Sequence, residues 1–259
     1  MEPGRLVLDR GGEGPDLLLF LHGLGASGAV WDPMLGDARA TARGLDRWDG
    51  TWAVPDLRGH GRSPHGPPYS VGVHVADVAT VVAETGAESV TVVGHSFGGV
   101  LGAVLASEVF GLPVRGVLAV GVKLDWTDDE IAGGHRVAQR DRRVFATRAE
   151  AAGQALRFAG LQGLLDPGDP RAQQDVVEVP GGFAAAVDPR TFSVVGADVR
   201  ALMALCRAPL RLAAGSADPG TSLDAMRPVD PSATVIDGAG HNAHWERPDE
   251  VWRLLEGMS

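Results

Sequence analysis

The segment Gly94-His95-Ser96-Phe97-Gly98-Gly99 sets a serine between glycines two positions before it and two after it. A hydroxyl becomes a nucleophile when it is lifted clear of its backbone and given a base. The G-x-S-x-G spacing serves the lifting, because glycines at both positions remove side chains that would collide across a very sharp turn. The apolar run Val90–Val93 precedes the motif and an apolar helical pattern follows it. Ser96 is therefore expected on a strand-to-helix turn at a helix N-terminus, where developing negative charge is favoured. Upstream, the run Leu17–Leu21 leads into His22-Gly23-Leu24-Gly25. A loop in that position supplies the second backbone N–H of an oxyanion pair, so the expected donors are those of Leu24 and Phe97.

The base must come from elsewhere in the chain. Of eight histidines, His241 has the suitable setting: it ends Gly238-Ala239-Gly240-His241, just after the run Thr234–Ile236. An orienting carboxylate is expected between serine and histidine in chain order. Asp218 meets that condition, closing the turn Gly215-Ser216-Ala217-Asp218 after the run Leu210–Ala214. His22 and His95 flank the site and are expected to be hydrogen-bonding props. His60, His65, His74 and His135 are expected on loops or helix surfaces, and His244 against Trp245. Ser27 and Ser63 lack a glycine frame and are expected to be ordinary loop polar residues. The single cysteine, Cys206, excludes an intrachain disulfide and a cysteine-built zinc site. No metal ligand set is expected.

Positioning these residues requires strands that end at one edge of a sheet. The short apolar runs Leu17–Leu21, Thr51–Val54, Val90–Val93, Val114–Val120, Leu210–Ala214 and Thr234–Ile236 lack polar alternation. That suits strands buried on both faces of a parallel sheet. Helical patterns lie between them. Val71, Val75, Val78, Val81 and Val82 share one side of a segment that Ser70 caps and Gly86 ends. A second helix is expected from Phe97 to Phe110, ending at Gly111, and a last one from Pro248 to Met258. The alternation stops between about Lys123 and Val195, where no strand of comparable strength is found. Two capping boxes appear there instead, Thr127-Asp128-Asp129-Glu130 and Thr147-Arg148-Ala149-Glu150. This stretch is expected to be a helical insertion over the carboxyl ends of the strands.

With these motifs in place the chain resembles the α/β-hydrolase family. Asp56-Leu57-Arg58-Gly59-His60-Gly61-Arg62-Ser63 is similar to the loop such proteins carry after the fourth strand. His241-Asn242-Ala243-His244-Trp245-Glu246-Arg247-Pro248 is similar to their histidine loop and the start of the final helix. The resemblance implies an α/β fold: a mostly parallel, doubly wound sheet with a helical cap inserted after the sixth strand. It divides the chain into a core of residues 1–122 and 196–259 and a cap of residues 123–195. It also implies a triad of Ser96, Asp218 and His241, with Asp125 as the alternative acid that some relatives take from the end of the sixth strand. Only Arg5–Asp9 precedes the Gly11–Pro15 turn, so the sheet is expected to lack its first edge strand. The implied activity is cleavage of small or medium carboxylic esters through an acyl-enzyme, with no cofactor. The same triad serves thioesterases, lactonases and carbon–carbon bond hydrolases, and the fold also serves non-catalytic ligand binding.

Composition narrows the partners. The 259-residue chain is 44% hydrophobic and 22% charged, a globular balance, and its formal charge of −10 disfavours nucleic acid. A spanning helix needs roughly 20 apolar residues. The most apolar stretch, Val100 to Val122, is interrupted by Ser107, Glu108 and Arg115, and Met1–Arg5 lacks the pattern of a signal peptide. A small-molecule ester, no membrane and a cytoplasmic setting are the expectations; oligomeric state is not legible. Lys123 is the single lysine among 23 basic residues. Arg136, Arg140, Arg142, Arg143, Arg148 and Arg157 crowd the insertion. They read as a solvated helix surface or as a basic lid for an anionic substrate arm.

Overall fold

The computed structural model describes residues 5–258. Nine strands occur among them: β1 (Leu8–Gly11), β2 (Asp16–Leu21), β3 (Thr51–Pro55), β4 (Ser89–His95), β5 (Val114–Val120), β6 (Val176–Val179), β7 (Gly182–Ala185), β8 (Leu210–Gly215) and β9 (Thr234–Ile236). Seven form one sheet in the order β1-β3-β2-β4-β5-β8-β9. β1 pairs antiparallel with β3 and every other neighbour is parallel. The fold is thus the mostly parallel α/β sheet the sequence implies. The expected first strand, Arg5–Asp9, begins three residues later, at Leu8.

The missing polar alternation has a direct structural cause. Leu17, Leu18, Leu19, Phe20 and Leu21 are all fully buried. Successive residues still point to opposite faces. Leu18, Phe20, Val93 and Leu118 pack on one side of the sheet, and Leu17, Leu19, Val92 and Val117 on the other. Both faces are covered, so neither needs polar residues.

Flanking helices are set by local signals. The helix Val71–Thr85 starts where Ser70 Oγ accepts the Val73 N–H at 3.2 Å and stops at Gly86, whose φ is 67°. The helix after β4 is shorter than expected: it spans Phe97–Leu105, and a separate 3₁₀ turn covers Glu108–Phe110. The Ala106 carbonyl there turns outward to accept the Arg207 N–H at 3.0 Å. The last helix, Pro248–Glu256, buries Val251, Trp252 and Leu255.

Residues 123–195 leave the sheet after β5, its fifth strand in chain order. Both capping boxes form, at the helices Asp128–Ala138 and Arg148–Ala159. The stretch also holds the antiparallel hairpin β6–β7, which corrects the all-helical expectation. Its strands are only four residues each, and Gly181 and Gly182 turn the chain with φ of 90° and 150°. Strands this short carry little sequence signal; Phe183 is fixed instead by a bridge to Phe145 and by Arg148 lying over its ring. Among the described residues no helix is long and apolar enough to cross a membrane.

Leu118, fully buried in the middle of the sheet, tests this packing. Leu118→Ala is expected to cost about 2–5 kcal/mol, read as a lowered urea midpoint with an unchanged denaturant slope.

Candidate active site

Ser96 sits at φ 51° and ψ −115° between β4 and the helix Phe97–Leu105. A non-glycine residue in that region stores about 1–3 kcal/mol of strain, which the surroundings must hold in place. Two glycines allow the close approach that holds it. A Cβ on Gly98 would fall 2.1 Å from the Leu21 carbonyl oxygen, and one on Gly94 would fall 2.4 Å from the Gly98 carbonyl oxygen. The Ser96 N–H donates to the Val120 carbonyl at 2.8 Å, and the Ser96 carbonyl accepts from Gly99 and Val100 to start the helix. The turn presents Ser96 to an apolar pocket that Leu24, Val71, Phe97, Val100 and Trp126 also line. The space between these walls comes to about 440 Å³ with its open mouth.

Leu24 and Phe97 both border this pocket, and among the described residues neither N–H is engaged in a hydrogen bond. The Leu24 loop is held from below by imidazoles. His22 Nε2 accepts the Leu57 N–H at 2.9 Å while Nδ1–H donates to the Gly23 carbonyl at 2.8 Å. His60 Nε2 accepts the Gly25 N–H at 3.0 Å and Nδ1–H donates to the Arg58 carbonyl at 3.0 Å. Each ring has one donor and one acceptor in use, which only the neutral form provides. Burial pushes the His22 pKa down to about 4 and holds His60 well below the usual range. His60 and His74, expected on loops or surfaces, are fully buried. The sequence sign missed was the motif containing His60. Its buried Asp56 carboxylate accepts the N–H groups of Gly28 and Arg62 and the Arg62 guanidinium, so the whole loop braces the Leu24 turn. Ser63, expected to be an ordinary polar residue, is also buried; its Oγ donates to the Asp56 carbonyl and accepts the Val7 N–H.

His241 Nδ1–H donates to Asp218 Oδ2 at 3.0 Å. The carboxylate is 1% exposed and its other oxygen accepts the Gly220 N–H at 2.7 Å, whereas the imidazole is one-third exposed. The bond fixes the tautomer, leaving Nε2 as a bare acceptor. His241 also neighbours the serine's turn: His95 Nε2–H donates to the His241 carbonyl at 3.0 Å, with ring centroids 4.7 Å apart. No hydrogen bond joins the Ser96 hydroxyl to His241 among the described residues, and such bonds commonly tighten only with substrate in place. Asp125 lies elsewhere, paired with Arg200 at 2.6 and 2.7 Å and largely exposed. The structure therefore joins His241 to Asp218 and not to Asp125.

Further residues tie the loops together. His244 packs with tilted rings against Trp31 at 4.6 Å and His95 at 4.2 Å between centroids, where Trp245 was the expected neighbour. Burial lowers the His244 pKa to about 3 and keeps His95 neutral as well. Asn242, which sequence reasoning did not single out, donates to the Ala159 and Gly160 carbonyls at 3.3 and 2.9 Å. This fastens the histidine loop to the end of the helix Arg148–Ala159. Of the six arginines from Arg136 to Arg157, Arg148 pairs with Glu178, Arg142 contacts His65 and Arg157 donates to Gln154. Arg143 lies over Phe145. Among the described residues no group of side chains suited to a metal ion is found.

The model of the alpha/beta hydrolase family matches residues 18–254, so the chain belongs to the alpha/beta hydrolase family. Lipase LipV of Mycobacterium tuberculosis (strain ATCC 25618 / H37Rv) is 36% identical over 97 residues. That match takes in 38% of this chain and 34% of the relative, so the chain spans about a third of that curated relative's length. The fold is similar to that of an M. tuberculosis esterase, with TM-score 0.75, 18% identity and coverage of 99% of this chain and 89% of the other. It is equally similar to a thioesterase domain from the curacin biosynthetic pathway, with TM-score 0.74, 19% identity and coverage of 97% and 95%. At such identities the likeness is one of fold.

Two outcomes are expected. His22, His60, His95 and His244 are held neutral by burial, while the same imidazoles protonate near 6.5 when unfolded. Their contribution to stability is complete above that pH and is lost as pH falls towards about 4, the value for His22. Each gives a slope of about 1.4 kcal/mol per pH unit. Asp175, raised to about 6 by burial, and Asp32, also raised by burial, act in the opposite direction but are outnumbered by the imidazoles, since burial lowers His65 and His74 as well. Melting temperatures from pH 7.5 to 4.5 should decline steeply, and a flat profile would contradict buried neutral rings. Gly98→Ala should cost about 1–3 kcal/mol through overpacking, measured by urea unfolding.

Proposed function

We propose that the chain is a serine hydrolase that cleaves small or medium carboxylic esters through an acyl-enzyme. The observation that carries this reading is the hydrogen bond from His241 Nδ1 to the buried Asp218 carboxylate beside the strained Ser96 turn. In the proposed scheme Ser96 Oγ attacks the ester carbonyl and its proton passes to His241 Nε2. Asp218 holds the ring and stabilises its cationic form. The N–H groups of Leu24 and Phe97 receive the negative charge of the tetrahedral intermediate. The imidazolium then gives its proton to the departing alcohol. Water activated by the same ring releases the acid and regenerates the serine.

Several observations support the reading beyond the fold. The pocket at Ser96 is apolar, which suits an acyl chain. The esterase and the lipase among the similar proteins act, by their names, on ester bonds. Residues 123–195 are proposed as a cap over a core of residues 1–122 and 196–259, because Trp126, Val194 and Val195 form one wall of the pocket. The scheme uses no metal or organic cofactor, and its proposed setting is the cytoplasm.

Aryl butyrate hydrolysis and fluorophosphonate labelling test the assignment. Ser96→Ala and His241→Gln are each expected to lower kcat by about 10⁶ and Asp218→Asn by about 10⁴. The Ser96→Ala, His241→Gln double variant should be no slower than either alone, because the two act as a unit. Asp125→Asn should keep kcat within a few-fold. Turnover that survives Ser96→Ala would remove the proposed nucleophile.

A further inference from the structure

The pocket at Ser96 carries one charged side chain, that of Lys123. It is the chain's only lysine, three residues beyond β5. Its ammonium is 2.7 Å from Glu130 Oε1 and 5.5 Å from the centroid of the Trp126 ring. Glu130 does not depend on this contact for its position. Its Oε2 accepts the Thr127 N–H at 2.9 Å and the Thr127 hydroxyl at 3.0 Å, closing the capping box of the helix Asp128–Ala138. An ammonium has three donors and no acceptor. Among the described residues Glu130 is its one hydrogen-bond partner, so donor capacity remains at a lining that, Ser96 apart, is otherwise aliphatic and aromatic.

The local charge decides what that capacity fits. Glu130 already balances Lys123, and Asp128 and Asp129 stand in the same first helical turn. A carboxylate arriving here would meet one neutralised cation and further acidic groups. An uncharged oxygen meets none of that repulsion and still takes a charge-assisted hydrogen bond, the stronger kind. We propose that Lys123 is a specificity-determining residue for substrates whose acyl chain is apolar except for one uncharged acceptor oxygen, an ether or a ketone, within its reach. This rests on the ester-hydrolase reading and names the substrate class of that same pocket. A donor built into an apolar wall discriminates because an all-carbon chain leaves it unpaired. Without the donor, the oxygen loses its water and gains nothing.

Binding and turnover separate the two readings. Binding is measured by calorimetry on the Ser96→Ala protein, where the proposed chemistry is removed, with ethyl hexanoate, ethyl 4-methoxybutanoate, ethyl 3-ethoxypropanoate and monoethyl glutarate. At least one ether ester should bind roughly tenfold more tightly than ethyl hexanoate. Adding Lys123→Met, which keeps a linear apolar stem, should reverse that order. A stem that merely packs on the wall would change all four affinities together and leave the ratios alone. Ratios unmoved by Lys123→Met overturn the proposal. So does a lysine-dependent preference for monoethyl glutarate over both ethers. If the unsubstituted Ser96 protein hydrolyses none of these esters while the binding ratios behave as stated, the hydrolase reading fails and the role of Lys123 stands.

Discussion

Everything at the site depends on how closely the backbone of the β4 turn approaches the end of β2. Ser96 keeps its positive φ because Gly98 lies where any side chain would run into the Leu21 carbonyl, and because its N–H is tied to Val120 on the next strand. Relaxing the turn would require separating two central strands that are buried on both faces. Strain of a few kcal/mol is thus opposed by paired strands buried on both faces. The same closeness brings Leu24 and Phe97, one from each strand end, to the pocket that Ser96 faces.

Around that turn the protein uses neutral histidines as struts. His22 and His60 hold the Leu24 loop, and His95 holds the backbone of His241. Burial keeps these three uncharged, so they add no charge near the site; His22 and His60 each donate and accept like amides, while His95 only donates. His241 differs: it is one-third exposed and has a buried carboxylate behind it. That difference in setting, not in residue type, marks it as the proposed base. The helix Arg148–Ala159 then touches both halves of the site, through Asn242 on the histidine loop and through Phe158 against Gly25. Residues 123–195 are thereby joined to both loops.

Local patterns carried the sheet well. Runs without polar alternation became strands within one or two residues of their expected ends, because burial on both faces leaves a signal in each segment alone. The capping boxes at Thr127 and Thr147 were equally legible, since Ncap and N3 are three residues apart. The β6–β7 hairpin and the early end of the helix at Leu105 were not. The first is four residues per strand and braced by Phe145, and the second turns on a carbonyl accepting from residue 207.

Sequence by itself determined the family-level fold and the sharp turn at Ser96, because glycine spacing and strand ends are local in the chain. Only the tertiary structure decided that Asp218 rather than Asp125 meets His241, that His60 lies under the Leu24 loop and that His244 packs against Trp31. Those contacts join segments up to 213 residues apart, as in His244 on Trp31. No periodicity encodes such pairs. They are settled by which strand ends the folded sheet sets side by side.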